Sequence, residues 1–173
     1  MRRMIGGMLV CAALLGAAPV QQAVTNGTYE QVKALLEKGA DVNQMDEKGQ
    51  TLLMLAAGTG NVRTIKMLLE AGAELNTKDK KGSTALDFAV REGHRDAVIL
   101  LLKKGADFSH QDVNGDTPLH IAAHFGDEDV VWPLINAGAN SHVRNKAGMT
   151  PSDVAYDEDH DRISLVIKTK AKR

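Results

Sequence analysis

Aliphatic residues along this chain come in short bursts at helical spacing, and the bursts recur. Val32, Leu35 and Leu36 form one burst, and Ile65, Met67, Leu68 and Leu69 a second. Val98, Leu100, Leu101 and Leu102 form a third, with Val166 and Ile167 near the end. Each suits a short helix that turns one face inward. Ala56-Ala57 and Ala122-Ala123 mark a second kind of helix, small enough on one side for close approach. Polar turn residues separate the bursts in a fixed phase. From Asp112 a step of 33 residues reaches Asp79 and then Asp46, and a step forward reaches Asn145. Gly49, Gly82, Gly115 and Gly148 keep that phase, as do Gly39, Gly72, Gly105 and Gly138. So do Thr51, Thr84, Thr117 and Thr150. The pattern predicts a repeated unit of one turn and two short helices. Glycine after each second helix supplies a positive φ, and proline in the first turn of a helix, as at Pro118, sacrifices no hydrogen bond.

The stretch 112–144, DVNGDTPLHIAAHFGDEDVVWPLINAGANSHVR, carries the pattern most fully. Its Asp-x-x-Gly-x-Thr-Pro-Leu-His opening, central Ala122-Ala123, Gly126 and closing Ala137-Gly138-Ala139-Asn140 resemble the ankyrin repeat. The resemblance implies an all-α solenoid of helix-turn-helix units joined by hairpin turns, with four to five repeats including degenerate caps. The repeats fall at about 18–45, 46–78, 79–111, 112–144 and 145–173, within a domain spanning 19–173. One period back, Pro118 projects onto Pro19, Ala122 onto Ala23 and Gly126 onto Gly27. The first unit lacks its own turn and carries Gln21, Gln22, Thr25 and Asn26, polar enough for a solenoid end. Asn26-Gly27-Thr28 matches a glycosylation acceptor but reads as the turn between helices. In the last unit Asp157-Glu158-Asp159-His160-Asp161 replaces the glycine-centred turn, and Lys168, Lys170, Lys172 and Arg173 follow as a solvated tail.

Composition narrows the classes. The 173 residues fit one array with a shared core, and the 3% aromatic content suits tightly packed short helices. A formal net charge of −1 gives no sign of nucleic-acid binding. Cys11 is the one cysteine, so neither a disulfide framework nor a thiol site is expected. Arg2-Arg3, the apolar run Met4–Leu15 and the small residues Gly16-Ala17-Ala18 read as a secretory signal spanning 1–18. The run is too short for a comfortable membrane span. A twin-arginine signal would need more around Arg2-Arg3, and a lipoprotein would need a small residue where Val10 stands. An ordinary buried N-terminal helix is the alternative. Cleavage near Ala17 or Ala18 leaves 19 basic against 22 acidic residues, about −3, in a periplasmic or secreted chain.

The resemblance implies a non-catalytic protein-binding scaffold without cofactor, expected as a monomer with no membrane insertion of the mature chain. It places partner contacts at residues flanking the turn and at the end of each first helix. Those positions hold Met45, Glu47, Lys48, Gln50, Gly58 and Thr59 in the second repeat, and Lys78, Lys80, Lys81, Ser83, Arg91 and Glu92 in the third. In the fourth they hold Gln111, Val113, Asn114, Asp116, His124 and Phe125. The surface is basic in the third repeat and more apolar in the fourth, where Val113 and Phe125 should be exposed.

Two further readings compete. His120 and His124 lie four apart on one helix face, a usable metal spacing that Asp153 and Asp157 could complete for a metal-binding or hydrolytic protein. The resemblance instead makes His120 a hydrogen-bonding link to turn backbone and the next repeat. Serines in no nucleophile-elbow pattern and glycines spaced by the repeat leave no other catalytic motif. Trp132 and Pro133 depart from the pattern, with the proline expected to kink or tighten its helix. Ile99, Trp132 and Leu165 could form a second, outer contact stripe, or Trp132 could cover the kink. The fold reading also leaves open a host-directed secreted effector.

Overall fold

A computed structural model describes residues 17–26 and 28–170. All but the end of the signal reading at 1–18, and the tail residues Lys172 and Arg173, lie outside the described residues. Among the described residues ten helices pair into five units: α1 (Ala17–Asn26) with α2 (Tyr29–Glu37), α3 (Leu52–Gly58) with α4 (Val62–Glu70), and α5 (Ala85–Arg91) with α6 (Arg95–Lys103). Then come α7 (Pro118–Phe125) with α8 (Glu128–Asn136), and α9 (Pro151–Asp157) with α10 (Asp161–Lys170). The odd-numbered helices pack in one row and the even-numbered in a second, each helix touching its partner and the equivalent helix of the next unit. The result is an all-α solenoid with a core that runs its whole length.

The alanines explain the close stacking. Ala56, Ala57, Ala89, Ala122, Ala123 and Ala155 are all fully buried in the first-helix row. Leu68, Val98, Leu101, Val130, Leu134 and Ile167 fill the seam from the second row. No single unit can bury its apolar face, so each relies on the next.

Side-chain caps hold the starts of the second to fifth units. Thr51, Thr84, Thr117 and Thr150 are extended N-caps, and in each case the residue three places on reaches back to the cap's N–H. The acceptors differ: Met54 Sδ at 3.4 Å, Asp87 Oδ2 at 2.7 Å, His120 Nδ1 at 3.1 Å and Asp153 Oδ2 at 3.0 Å. In the first unit a like box, Thr28 with Gln31, caps the second helix α2 instead.

The turn aspartates earn their phase by the same chemistry. Asp46 Oδ1 accepts from the backbone N–H of Lys48 and Gln50, both at 2.8 Å. Asp79 holds Lys81 and Ser83, Asp112 holds Asn114 and Asp116, and Asn145 holds Ala147 and Met149 in the same way. Adjacent tips are stitched by backbone bonds, Lys80 N–H to Lys48 C=O at 3.1 Å, Val113 to Lys81 at 3.0 Å, and Lys146 to Asn114 at 2.9 Å. Each hairpin is therefore rigid and in register with its neighbour, leaving the side chains between the aspartate and glycine free to vary.

Two expectations need amendment. Ser83, placed among contact positions, is buried with its N–H bound to Asp79, and belongs to the hairpin rather than the surface. The last unit keeps the inter-helix turn: Asp159 takes φ +61°, matching Gly126 one period earlier at φ +70°. The departure is in residue type, not backbone. α8 carries Pro133 within its length and runs on to Asn136, with Ala137 N–H bonding the Pro133 carbonyl at 3.0 Å.

Candidate functional site

With the turn aspartates and cap threonines committed to the backbone, the free side chains lie at hairpin tips and first-helix ends. Lys48, Lys78, Lys80 and Lys81 are exposed at the tips of the second and third units. Met45, Val113 and Phe125 expose 49%, 50% and 48% of their surfaces, unusually much for large apolar residues in a protein with so few aromatics. Asn114 is exposed beside Val113, and Arg91 is half-buried with its guanidinium 5.5 Å from the Phe88 ring. Lys78 is partly committed, its Nζ donating to the Gln111 carbonyl of the next unit at 3.4 Å. Gln111 in turn donates to the carbonyls of Gly115 and Arg144, so it ties repeats together.

At the far end a groove of about 390 Å³ opens between the fourth and fifth units. Phe125 forms part of its wall, with the His124 ring edge-to-face at 4.9 Å between centroids. His124 Nδ1 reaches Glu158 Oε1 across the groove at 2.9 Å. Asp116, Asp157 and Glu158 add carboxylates, and the Asp157 carboxylate has neither hydrogen bond nor ion pair among the described residues. Asp157 and Glu158 occupy the same helix-end positions as His124 and Phe125, one period on. Reading 145–173 as a cap hid them, although the phase would have placed them.

The histidine-carboxylate set proposed for a metal is not assembled. His120 is buried, its Nδ1 accepting from Thr117 N–H and its Nε2 donating to the Met149 carbonyl at 3.1 Å. Desolvation by burial lowers its pKa, which keeps the ring neutral in that role. Asp153 is held by Thr150, whose backbone and side-chain hydrogen bonds lower its pKa. Among the described residues no three His, Cys, Asp or Glu side chains gather as a metal site.

A buried pair escaped the sequence reading. Asp87 stands in the column of His120 but accepts a 2.6 Å hydrogen bond from His110 Nε2, while His110 Nδ1 bonds the Asp107 carbonyl at 2.7 Å. Desolvation would depress the imidazole, but the hydrogen bond and charge of Asp87 outweigh it, and the net pKa is raised. The column itself carried a signal: Asp87 is buried where the equivalent Asp153 is only half-buried, and a buried carboxylate must find a partner.

On the outer face Trp132 is half-buried, with Lys170 Nζ 5.4 Å from its ring centroid. Ile99 is also half-buried, whereas Leu165 exposes 62% of its surface.

The unit so described, a hairpin with two antiparallel helices stacked in register, matches a known family by sequence as well as shape. Residues 20–112 match a model of ankyrin repeats in three copies, and residues 114–146 match a further ankyrin repeat. The chain belongs to the ankyrin-repeat family. No curated protein matches it closely enough to add a nearer relative. Ankyrin repeats generally mediate protein–protein interaction, and proteins built from them are typically binding scaffolds. No helix of this ankyrin array among the described residues is long and apolar enough to cross a membrane.

Proposed function

We propose that this ankyrin array is a non-catalytic scaffold that binds a partner protein through its hairpin tips and first-helix ends. One observation carries the reading. The repeating residues are spent on the backbone and core, while the exposed ones at the tips and helix ends differ from repeat to repeat, from lysines to Phe125 to Asp157 and Glu158. A surface that varies on a rigid periodic frame supports recognition of one particular partner. Site chemistry for catalysis finds no comparable support, because the buried histidines are already hydrogen-bonded within the frame.

The N-terminal pattern supports a further part of the proposal, that the chain is exported and cleaved near Ala17 or Ala18. Sequencing the N-terminus of the protein recovered from an envelope fraction would test this. A start at Met1 would overturn it.

Capture from native extract tests the scaffold reading. The chain is compared with a Phe125→Lys, Arg91→Glu double variant whose changes lie at exposed or half-buried positions. The expected result is one protein retained by the parent and lost by the variant. Retention by both, with loss on Trp132→Lys, would move the contact to the outer face and overturn the proposed surface.

A further inference from the structure

We infer that the groove between the fourth and fifth repeats takes a segment of the partner in which a lysine or arginine lies beside an apolar side chain. This rests on the scaffold reading above and names the chemistry of one part of its surface.

The apolar half of the argument is Phe125. Its ring is half exposed over a floor to which Ile121 and half-buried Met149 contribute. Equivalent positions one period away hold Glu92 and Glu158, so the packing of the array does not require an aromatic there. An exposed ring at the wall of a groove is where interface energy concentrates once a partner excludes water.

The charged half is the rim. Asp116, Asp157 and Glu158 bring three carboxylates to the same opening. Asp116 Oδ1 accepts from Asn145 Nδ2 at 2.7 Å and Glu158 is met by His124, but Asp157 has no protein partner among the described residues. Against them stand His124, already paired, and Arg91, turned toward the Phe88 ring. A cation from a partner would find carboxylates around an apolar floor, and desolvation on docking would strengthen their attraction. Exposed lysines stand at the hairpin tips of the second and third repeats and, as Lys146, of the fifth, while the carboxylates of the opening lie at Asp116 and at the helix end Asp157-Glu158.

Selection of random peptides displayed on phage against the full chain, at low ionic strength, tests the inference. The strongest binder is then titrated by fluorescence anisotropy. The selected peptides should pair Lys or Arg with aliphatic or aromatic residues and should bind more weakly as salt rises. Binding should fall about tenfold or more on the isosteric triple variant Asp116→Asn, Asp157→Asn, Glu158→Gln, and comparably on Phe125→Ala. Neither variant should shift the thermal midpoint appreciably, since these side chains are exposed or half-buried. Acidic peptides that are lost on Lys80→Glu, Lys81→Glu but kept on the triple variant would overturn this inference and leave the scaffold surface standing. No enrichment at all, or binding that none of these changes affects, would overturn both.

Discussion

Four side chains share one position in successive units, Met54, Asp87, His120 and Asp153, and they close the same cap with a thioether, an imidazole or a carboxylate. His120 and His110, the partner of Asp87, give the array opposing responses to pH. His110, bound to both Asp87 and the Asp107 carbonyl, donates from both ring nitrogens only when protonated. Its folded pKa is raised above 6.5, so its contribution is full below that value and is lost as pH rises through the raised pKa. His120 has a lowered pKa, so its contribution is full above 6.5 and is lost as pH falls toward the lowered value. Urea denaturation across this range should therefore show His110→Gln removing sensitivity on the alkaline side and His120→Asn removing it on the acid side. His110→Ala should cost about 3–5 kcal/mol at neutral pH, because it leaves Asp87 buried without its partner. A loss under 1 kcal/mol would mean that water replaces the imidazole readily.

At the level of the helix pair, the turn between helices is the most constrained joint. Gly126 has φ +70°, and a Cβ there would lie 2.5 Å from the His160 ring. His160 cannot simply swing aside, because its Nε2 also bonds the His124 carbonyl at 3.2 Å. Gly126→Ala should destabilise the array by about 1–3 kcal/mol from backbone strain with the clash added, measured as a lower urea midpoint. Asp159→Gly, at the same turn one period on, should stabilise by up to about 1 kcal/mol. In α8, Pro133 leaves the Asp129 carbonyl without its helical donor, so Pro133→Ala should raise the midpoint, by an amount bounded near the ~3 kcal/mol cost of an unconstrained helical proline. Much of this joint was legible from the sequence, since glycine in phase requires positive φ, but Asp159 shows that phase survives where identity does not. The hairpins, caps and helix pairs were readable because each repeats a local hydrogen-bond solution. The contact surface was readable in part: Val113 and Phe125 are exposed as their positions implied. Ser83 was misplaced because a small polar residue carries no sign of which way it faces. The His110–Asp87 pair joins residues 23 apart with no counterpart in other repeats, so the column marks Asp87 as needing a partner but periodicity does not name His110.

For the whole molecule, stability should behave as a sum of units and interfaces rather than as one indivisible core. The fifth unit shows what an interface contributes. Ala57, Val90 and Ala123 share a column and are each fully buried by the unit that follows. Tyr156 holds that column in the fifth unit and exposes 66% of its surface, with Lys168 Nζ 5.8 Å from its ring. Beside it Arg144 meets Asp153 at 3.9 Å, and the face is polar where inner faces are aliphatic. Ending the chain at Arg144 would exchange that polar face for one containing Ala123, and would strip His120 of the Met149 carbonyl that it bonds. The truncated array should lose more than a proportional share of its stability, since a unit and an interface go together while an apolar surface is uncovered. Its urea midpoint should fall, its m-value should drop with the smaller buried area, and a hydrophobic dye should bind where it does not bind the parent. Restoring a polar end with Ala123→Tyr in the truncated chain should recover part of the lost solubility without recovering the midpoint. An unchanged midpoint on truncation would separate the fifth unit from the cooperative array and make its groove a feature of two independent bodies rather than of one surface.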